Sequence, residues 1–138
     1  SRRAGLLELD AFLKEAGANP DHYEINDGSG LSRLNLVSPA AVVALLRYMY
    51  DSPHRDVWMS LLPVGGEDGT LSSRFRGTAG AGRILAKTGS VSHVSALSGY
   101  ARRRNGRVLA FSILVNNFPA PTAEVRAAID KICNLMIQ

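Results

Sequence analysis

Four consecutive residues, Lys87-Thr88-Gly89-Ser90, place a cation, two hydroxyl groups and a glycine side by side. This combination suits a carboxylate, because the hydroxyl and ammonium groups donate to its oxygens and the glycine lets another backbone approach closely. A peptide lying along the segment as an added strand would also gain main-chain hydrogen bonds. Taken alone, the tripeptide Lys-Thr-Gly favours a plainer interpretation, an exposed lysine that leads into a turn. Its function therefore depends on the elements that position it.

Three extended segments, over residues 84–88, 94–102 and 107–116, predict an antiparallel meander in which the four residues end the first strand. The Asn105-Gly106 pair predicts a two-residue hairpin turn between the second and third segments. The third segment is apolar at successive positions, which indicates a central strand that is covered on both faces.

Helices are predicted over residues 5–16, from Pro39 to about Tyr50 and over 56–62, because apolar residues recur there at helical spacing. Ser38 is expected to cap the second of these helices, and a short strand is expected over 22–26. A last helix is predicted from Thr122, whose side chain would cap it. This helix is expected to pack on the sheet. Its apolar stripe is expected to consist of Val125, Ile129, Ile132 and Met136.

The composition limits the classes of function. The chain has 138 residues, 46% of them hydrophobic and 20% charged, which is typical of one globular domain or of a piece of a larger one. No apolar run is long enough to span a membrane. One cysteine and three scattered histidines predict neither an internal disulfide nor a metal site, and no cofactor motif is present.

The net charge of +4 leaves a basic nucleic-acid-binding domain to be considered. Four arginines flank the Asn105-Gly106 turn, but the aromatic residues that stack on bases are not interleaved with them, and Tyr100 alone does not supply them. The arginine cluster is therefore interpreted as a solvated hairpin tip, and no nucleic-acid partner is expected.

Beyond the four residues, an ordered series of segments resembles the C-terminal part of the class C low-molecular-mass penicillin-binding proteins, which are D-alanyl-D-alanine carboxypeptidases and endopeptidases. The resemblance implies an α/β (α+β) fold, an antiparallel sheet flanked by helices, with residues 1–138 as the C-terminal part of the penicillin-binding domain. The segments are Asp27-Gly28-Ser29-Gly30-Leu31-Ser32-Arg33, Leu61-Leu62-Pro63, Asp68-Gly69-Thr70-Leu71, Ala86-Lys87-Thr88-Gly89-Ser90 and Leu97-Ser98-Gly99-Tyr100.

The resemblance also implies roles for individual residues. Lys87 is expected to be catalytic, and Thr88, Gly89 and Ser90 to bind substrate. Arg33 either holds an acidic group of the peptidoglycan stem peptide or braces its loop through an ion pair. Ser92 is expected to line the cleft, although the family often has a glutamine near that position, and His93 is expected to be structural.

Acyl transfer through serine also needs a nucleophile and a base, and neither family motif for them is present. No serine is followed by lysine at the third position or by asparagine at the second, so Ser-x-x-Lys and Ser-x-Asn are both missing. In the family both motifs lie N-terminal to this region. We therefore expect a fragment, or one chain of a cleaved enzyme, whose nucleophile lies on the N-terminal portion. The expected partners are that portion, peptidoglycan stem peptides and β-lactams, and the expected location is periplasmic or extracytoplasmic. The alternative is a non-catalytic peptidoglycan-binding module.

Overall fold

The computed structural model describes residues 1–138 and contains four α-helices close to the predicted positions. They are α1 (Arg2–Glu15), α2 (Pro39–Asp51), α3 (Arg55–Ser60) and α4 (Thr122–Met136), with short 3-10 helices at Pro20–His22 and Gly69–Leu71. The predicted Ser38 cap of α2 is confirmed, since its hydroxyl oxygen accepts from the Ala41 amide at 3.1 Å. Helix α1 begins three residues earlier than its apolar pattern, because the Ser1 hydroxyl caps it.

The predicted antiparallel meander is confirmed. Strands β3 (Ile84–Val91), β4 (Val94–Arg102) and β5 (Val108–Asn116) form a three-stranded sheet in the order β3-β4-β5. Gly99 of β4 lies so close to β3 that an added Cβ would come within 2.1 Å of the Leu85 carbonyl oxygen. Only glycine fits there, so this position fixes the approach of the two strands. The predicted strand near residue 23 is present as β1 (Tyr23–Glu24), which pairs with an unpredicted β2 (Leu36–Val37).

Within residues 1–138, the segment 107–116 does not take the central position that was predicted. β5 lies at one edge of the sheet, and β4 is the middle strand. Both faces of β5 are nevertheless covered, because α2 and α4 pack on opposite sides of it. An apolar pattern reports which faces a strand buries and carries no information about whether its edge is paired.

The end of β3 and the length of the β4–β5 loop also differ from expectation. β3 continues to Val91, so the Lys87–Ser90 segment lies inside the strand instead of ending it. The β4–β5 connection is a three-residue loop of Arg104, Asn105 and Gly106 closed by the Arg103 amide donating to Arg107. Only Gly106 there has positive φ, at 83°, whereas a two-residue type I′ turn would need it at both central residues.

Side chains of α2 and α4 fill two apolar clusters on opposite faces of the sheet. In the larger cluster Ile129, Cys133 and Ile137 pack against Leu97 and Phe111. The predicted stripe of α4 is thus wrong at Ile132, which is 46% exposed, because the buried positions follow i, i+4 spacing from Ile129. Thr122 is the first residue of α4 and makes no side-chain cap, so that prediction is also wrong.

Candidate functional site

The segment Lys87–Ser90 lies on an edge strand with one side open. At the outer edge of β3 only its beginning is paired, where the Ala86 amide donates to Pro63 at 3.0 Å and the Ile84 carbonyl accepts from Gly65 at 2.8 Å. Alternate residues direct their main-chain groups to the same edge, so Thr88 and Ser90 present theirs on this outer side. The edge beyond Ala86 therefore offers donors and acceptors to an extended peptide.

The alternation of the strand also divides the predicted site residues between two faces. Ile84 and Ala86 pack into the α4 cluster and Leu85 packs into the α2 cluster. By the period of two, Thr88 and Ser90 lie on the α4 face, and Lys87 lies on the α2 face. A peptide along the outer edge would thus meet the ammonium group from one side and the hydroxyl groups from the other.

Lys87 is exposed, and its ammonium group donates to the Thr88 carbonyl oxygen at 2.8 Å. That carbonyl points to the outer edge, so the positive charge is held beside the open strand. The three ion pairs of the chain join other residues, Lys14 with Asp10, Arg55 with Asp56 and Arg74 with Asp130. The charge of Lys87 has no acidic partner within the chain.

Both hydroxyl groups of the segment are hydrogen-bonded to residues that the sequence did not single out as part of the site. Thr88 Oγ1 donates to Thr70 Oγ1 at 3.1 Å, and Ser90 Oγ accepts from Arg126 Nη2, also at 3.1 Å. Thr70 belongs to the 3-10 helix at Gly69–Leu71, and Arg126 belongs to α4. No local pattern predicts either contact, because the partners are 18 and 36 positions apart.

Gly89 lies between the two residues that carry the hydroxyl groups, and Ser92 follows them. Gly89 pairs with Ala96 of β4, and the Ala96 Cβ, at 3.3 Å, is the only atom within 4 Å of the place a Gly89 Cβ would occupy. Ser92 is exposed at the β3–β4 turn and makes no hydrogen bond through its side chain. The turn is anchored by His93, whose ring Nδ1 lies 3.1 Å from the Phe118 carbonyl oxygen and whose own carbonyl accepts from the Asn117 amide at 2.8 Å.

Arg33 lies on the exposed loop between β1 and β2, and no hydrogen bond or ion pair joins it to β3 or to an acidic residue. The loop keeps its shape by other means. Asn35 accepts from the Asn26 amide at 2.7 Å, and the Ser29 hydroxyl donates to Asp27 at 2.7 Å. That hydroxyl lowers the pKa of the Asp27 carboxyl group. A loop-bracing ion pair of Arg33 is therefore absent from the structure.

A cavity of about 480 Å³ lies away from this segment, between α2 and β5, and Arg47, Tyr50 and Tyr100 contribute to its lining. None of the predicted site residues lines it, because the Lys87–Ser90 segment is an open strand edge and not an enclosed pocket. No group of three or more histidine, cysteine or acidic side chains is arranged to hold a metal ion. The helices are too short or too polar to cross a membrane.

The fold is shared with solved penicillin-binding proteins. Penicillin-binding protein 4 (dacB) from Haemophilus influenzae superposes with a TM-score of 0.83 at 29% identity, over 99% of this chain and 31% of that one. The same protein in complex with a β-lactam matches with the same score and identity, over 99% of this chain and 33% of that one. Fold and segment order together define part of a penicillin-binding-type domain.

Residues 1–136 match the D-Ala-D-Ala carboxypeptidase 3 (S13) family, and the chain belongs to that family. The D-alanyl-D-alanine carboxypeptidase of Actinomadura sp. (strain R39) is 46% identical over 127 residues, which are 87% of this chain and 23% of that protein. The chain thus spans about a quarter of the length of this relative and about a third of the solved structures it matches.

Proposed function

We propose that the complete protein is a serine-type D-alanyl-D-alanine carboxypeptidase or endopeptidase, in which this chain forms one wall of the active-site cleft. The observation that carries the proposal is the open outer edge of β3, where Lys87, Thr88 and Ser90 border main-chain groups that have no strand partner. A stem peptide would add to this edge as a short strand and direct its terminal carboxylate toward the hydroxyl groups. Membership of the S13 family supports the same reaction.

In the proposed reaction a serine of the N-terminal portion attacks the carbonyl carbon of the penultimate D-alanine. The peptide bond breaks, the terminal D-alanine leaves with a proton on its amino group, and the acyl group passes from the serine to water. Lys87, whose charge is not compensated within the chain, would stabilise the developing negative charge and assist proton transfer. Thr88 and Ser90 would hold the carboxylate of the leaving residue, and Gly89 would let the peptide backbone approach.

Two further exposed residues, Arg33 and Ser92, are assigned to the cleft in this proposal. Arg33 is free of ion pairs within the chain, which leaves its guanidinium group available for an acidic group of the stem peptide. Ser92 is exposed at the end of the strand that would bind the peptide, where it would border the cleft. A role in the cell wall would place the protein in the periplasm or another extracytoplasmic compartment, with β-lactams as inhibitors.

The test uses the complete protein with labelled penicillin and with a peptide that ends in D-alanyl-D-alanine. We expect release of D-alanine and a covalent adduct on a serine outside residues 1–138. Binding of peptidoglycan without adduct or D-alanine release would instead favour a non-catalytic binding module. An adduct on a serine of residues 1–138 would overturn the assignment of this chain to the cleft wall.

A further inference from the structure

Arg126 reaches from α4 to the strand that is proposed to bind substrate. Its Nη2 donates to Ser90 Oγ at 3.1 Å, and both side chains are exposed. The contact joins the second turn of a helix to the end of β3, across 36 positions of sequence. The guanidinium group therefore lies at the hydroxyl that is proposed to bind a carboxylate.

The natural helical partner of Arg126 is already engaged elsewhere. Asp130 lies four residues further along α4, at the spacing that allows an ion pair on a helix surface. It accepts three hydrogen bonds from Arg74, at 2.5 to 3.2 Å. Arg126 takes part in none of the ion pairs of the chain. A permanent positive charge thus lies beside Ser90 without an acidic partner.

The hydrogen bond also determines what Ser90 can do. A hydroxyl group has one hydrogen to donate and two lone pairs to accept with. Because Arg126 donates to one lone pair, the Ser90 hydrogen stays free to point away, toward a ligand at the strand edge. The guanidinium group has further N–H donors in a planar fork, which match the geometry of a carboxylate.

We propose that Arg126 is a positioning residue, which orients the Ser90 hydroxyl and makes the site selective for acyl donors with a free carboxylate on the leaving group. The inference rests on the proposed function and adds a residue to it. Lys87 lies on the opposite face of β3, so the two cations have separate tasks. Lys87 acts on the reacting carbonyl, and Arg126 acts through the Ser90 hydroxyl on the carboxylate of the leaving residue.

The test compares two peptides, one ending in D-alanyl-D-alanine and the other its C-terminal amide, as substrates of the complete enzyme. We expect Arg126→Ala to lower kcat/KM for the free acid by roughly ten- to a hundredfold, the range for a lost hydrogen bond to a charged group. The kcat/KM for the amide should fall several-fold less than that for the acid, because a hydrogen bond to a neutral carboxamide is weaker than one to a carboxylate. Arg126→Lys should restore part of the preference for the acid.

Lys131→Ala is the matched control, since Lys131 is an exposed cation of the same helix without a contact to β3. The Ser90→Ala and Arg126→Ala effects should be less than multiplicative in the double variant, because Arg126 acts through Ser90. If Arg126→Ala folds poorly, Arg126→Gln supplies the same comparison with a neutral side chain of similar reach. Equal losses on acid and amide, or no loss on either, would overturn the inference. A wild-type enzyme that is inactive on both peptides would instead refute the proposed function.

Discussion

Trp58 and Tyr100 are joined by a hydrogen bond from the indole Nε1 to the phenolic oxygen, at 2.9 Å and across 42 positions of sequence. The Tyr100 hydroxyl in turn donates to the Leu46 carbonyl oxygen at 2.6 Å. A single buried phenol thereby connects α3, the middle strand of the sheet and α2. Burial raises the pKa of Tyr100, so the phenol remains a neutral donor at physiological pH.

The first prediction concerns this connection. Tyr100→Phe should lower the free energy of unfolding by about 1 to 3 kcal/mol, because it leaves the Trp58 N–H and one acceptor site of Leu46 without a partner. Urea unfolding of the complete protein measures the change. Tyr48→Phe is the control, since its hydrogen bond to Glu15 lies at the surface and its loss should change stability by less than about 0.5 kcal/mol. Equal effects of the two substitutions would contradict the assigned role of Tyr100.

Lys87→Ala should lower the rate of acylation far more than it lowers the stability of the fold. In the complete enzyme we expect acylation by penicillin to slow by roughly two or more orders of magnitude, the scale of losing one preorganised electrostatic contact. Thermal stability should change little, because Lys87 is exposed and has no ion pair. Arg104→Ala is the control, as Arg104 also has an exposed, unpaired side chain, on the β4–β5 loop. Near-normal acylation of the Lys87 variant would mean that the site has been placed on the wrong strand.

Residues 1–138 alone should form no stable adduct with labelled penicillin and release no D-alanine from a D-alanyl-D-alanine peptide. Neither Ser-x-x-Lys nor Ser-x-Asn occurs in the chain, and a strand edge without nucleophile and base binds a peptide but does not cleave it. Gel fluorescence after incubation, beside the complete enzyme as the positive control, measures the adduct. A labelled band at the mass of the isolated chain would reveal a nucleophile of a different type.

Cys133 should be unreactive in the folded protein. It is fully buried on α4, and burial, with a smaller contribution from the charge of Asp130, raises the pKa of its thiol from 9.0 to about 12. Because the thiolate is the reactive form, iodoacetamide at pH 8 should modify the peptide that contains Cys133 only after unfolding. Mass spectrometry of digests measures the modified fraction, and rapid modification of the native protein would contradict the buried position.

The same shift has a consequence for stability. The unfolded chain loses the thiol proton at a lower pH than the folded chain. The contribution of Cys133 to the free energy of unfolding is therefore complete below the unfolded-state pKa. It declines as the pH rises from about 9 toward 12. Cys133→Ala should remove this part of the alkaline loss in a series of unfolding curves, whereas the contribution of Tyr100, whose pKa is raised in the same direction, should persist.

Sequence patterns that extend over only a few neighbouring residues predicted much of this fold. The Ser38 cap, the existence of α4 and the three strands all follow from neighbours in sequence, whereas the buried stripe of α4 was predicted with Ile132 in place of Cys133. The edge position of β5 does not follow from sequence neighbours, because it depends on whether another strand pairs along its outer side. Thr70 and Arg126 were missed for a related reason. Each reaches the proposed site through tertiary contact with β3, and neither carries a spacing that marks it as a partner of Thr88 or Ser90.

The unpaired outer edge of β5 is expected to favour self-association of residues 1–138 on their own. β5 has nine residues and no strand beyond it, so alternate residues from Val108 to Asn116 leave their amide and carbonyl groups without strand partners. A long apolar strand in this situation can recruit the same strand from another copy, which is how sheet proteins begin to aggregate. We therefore expect the associated fraction of the 138 residues on their own to rise with concentration, and a peptide that pairs with β5 should lower it without occupying the proposed substrate edge at β3.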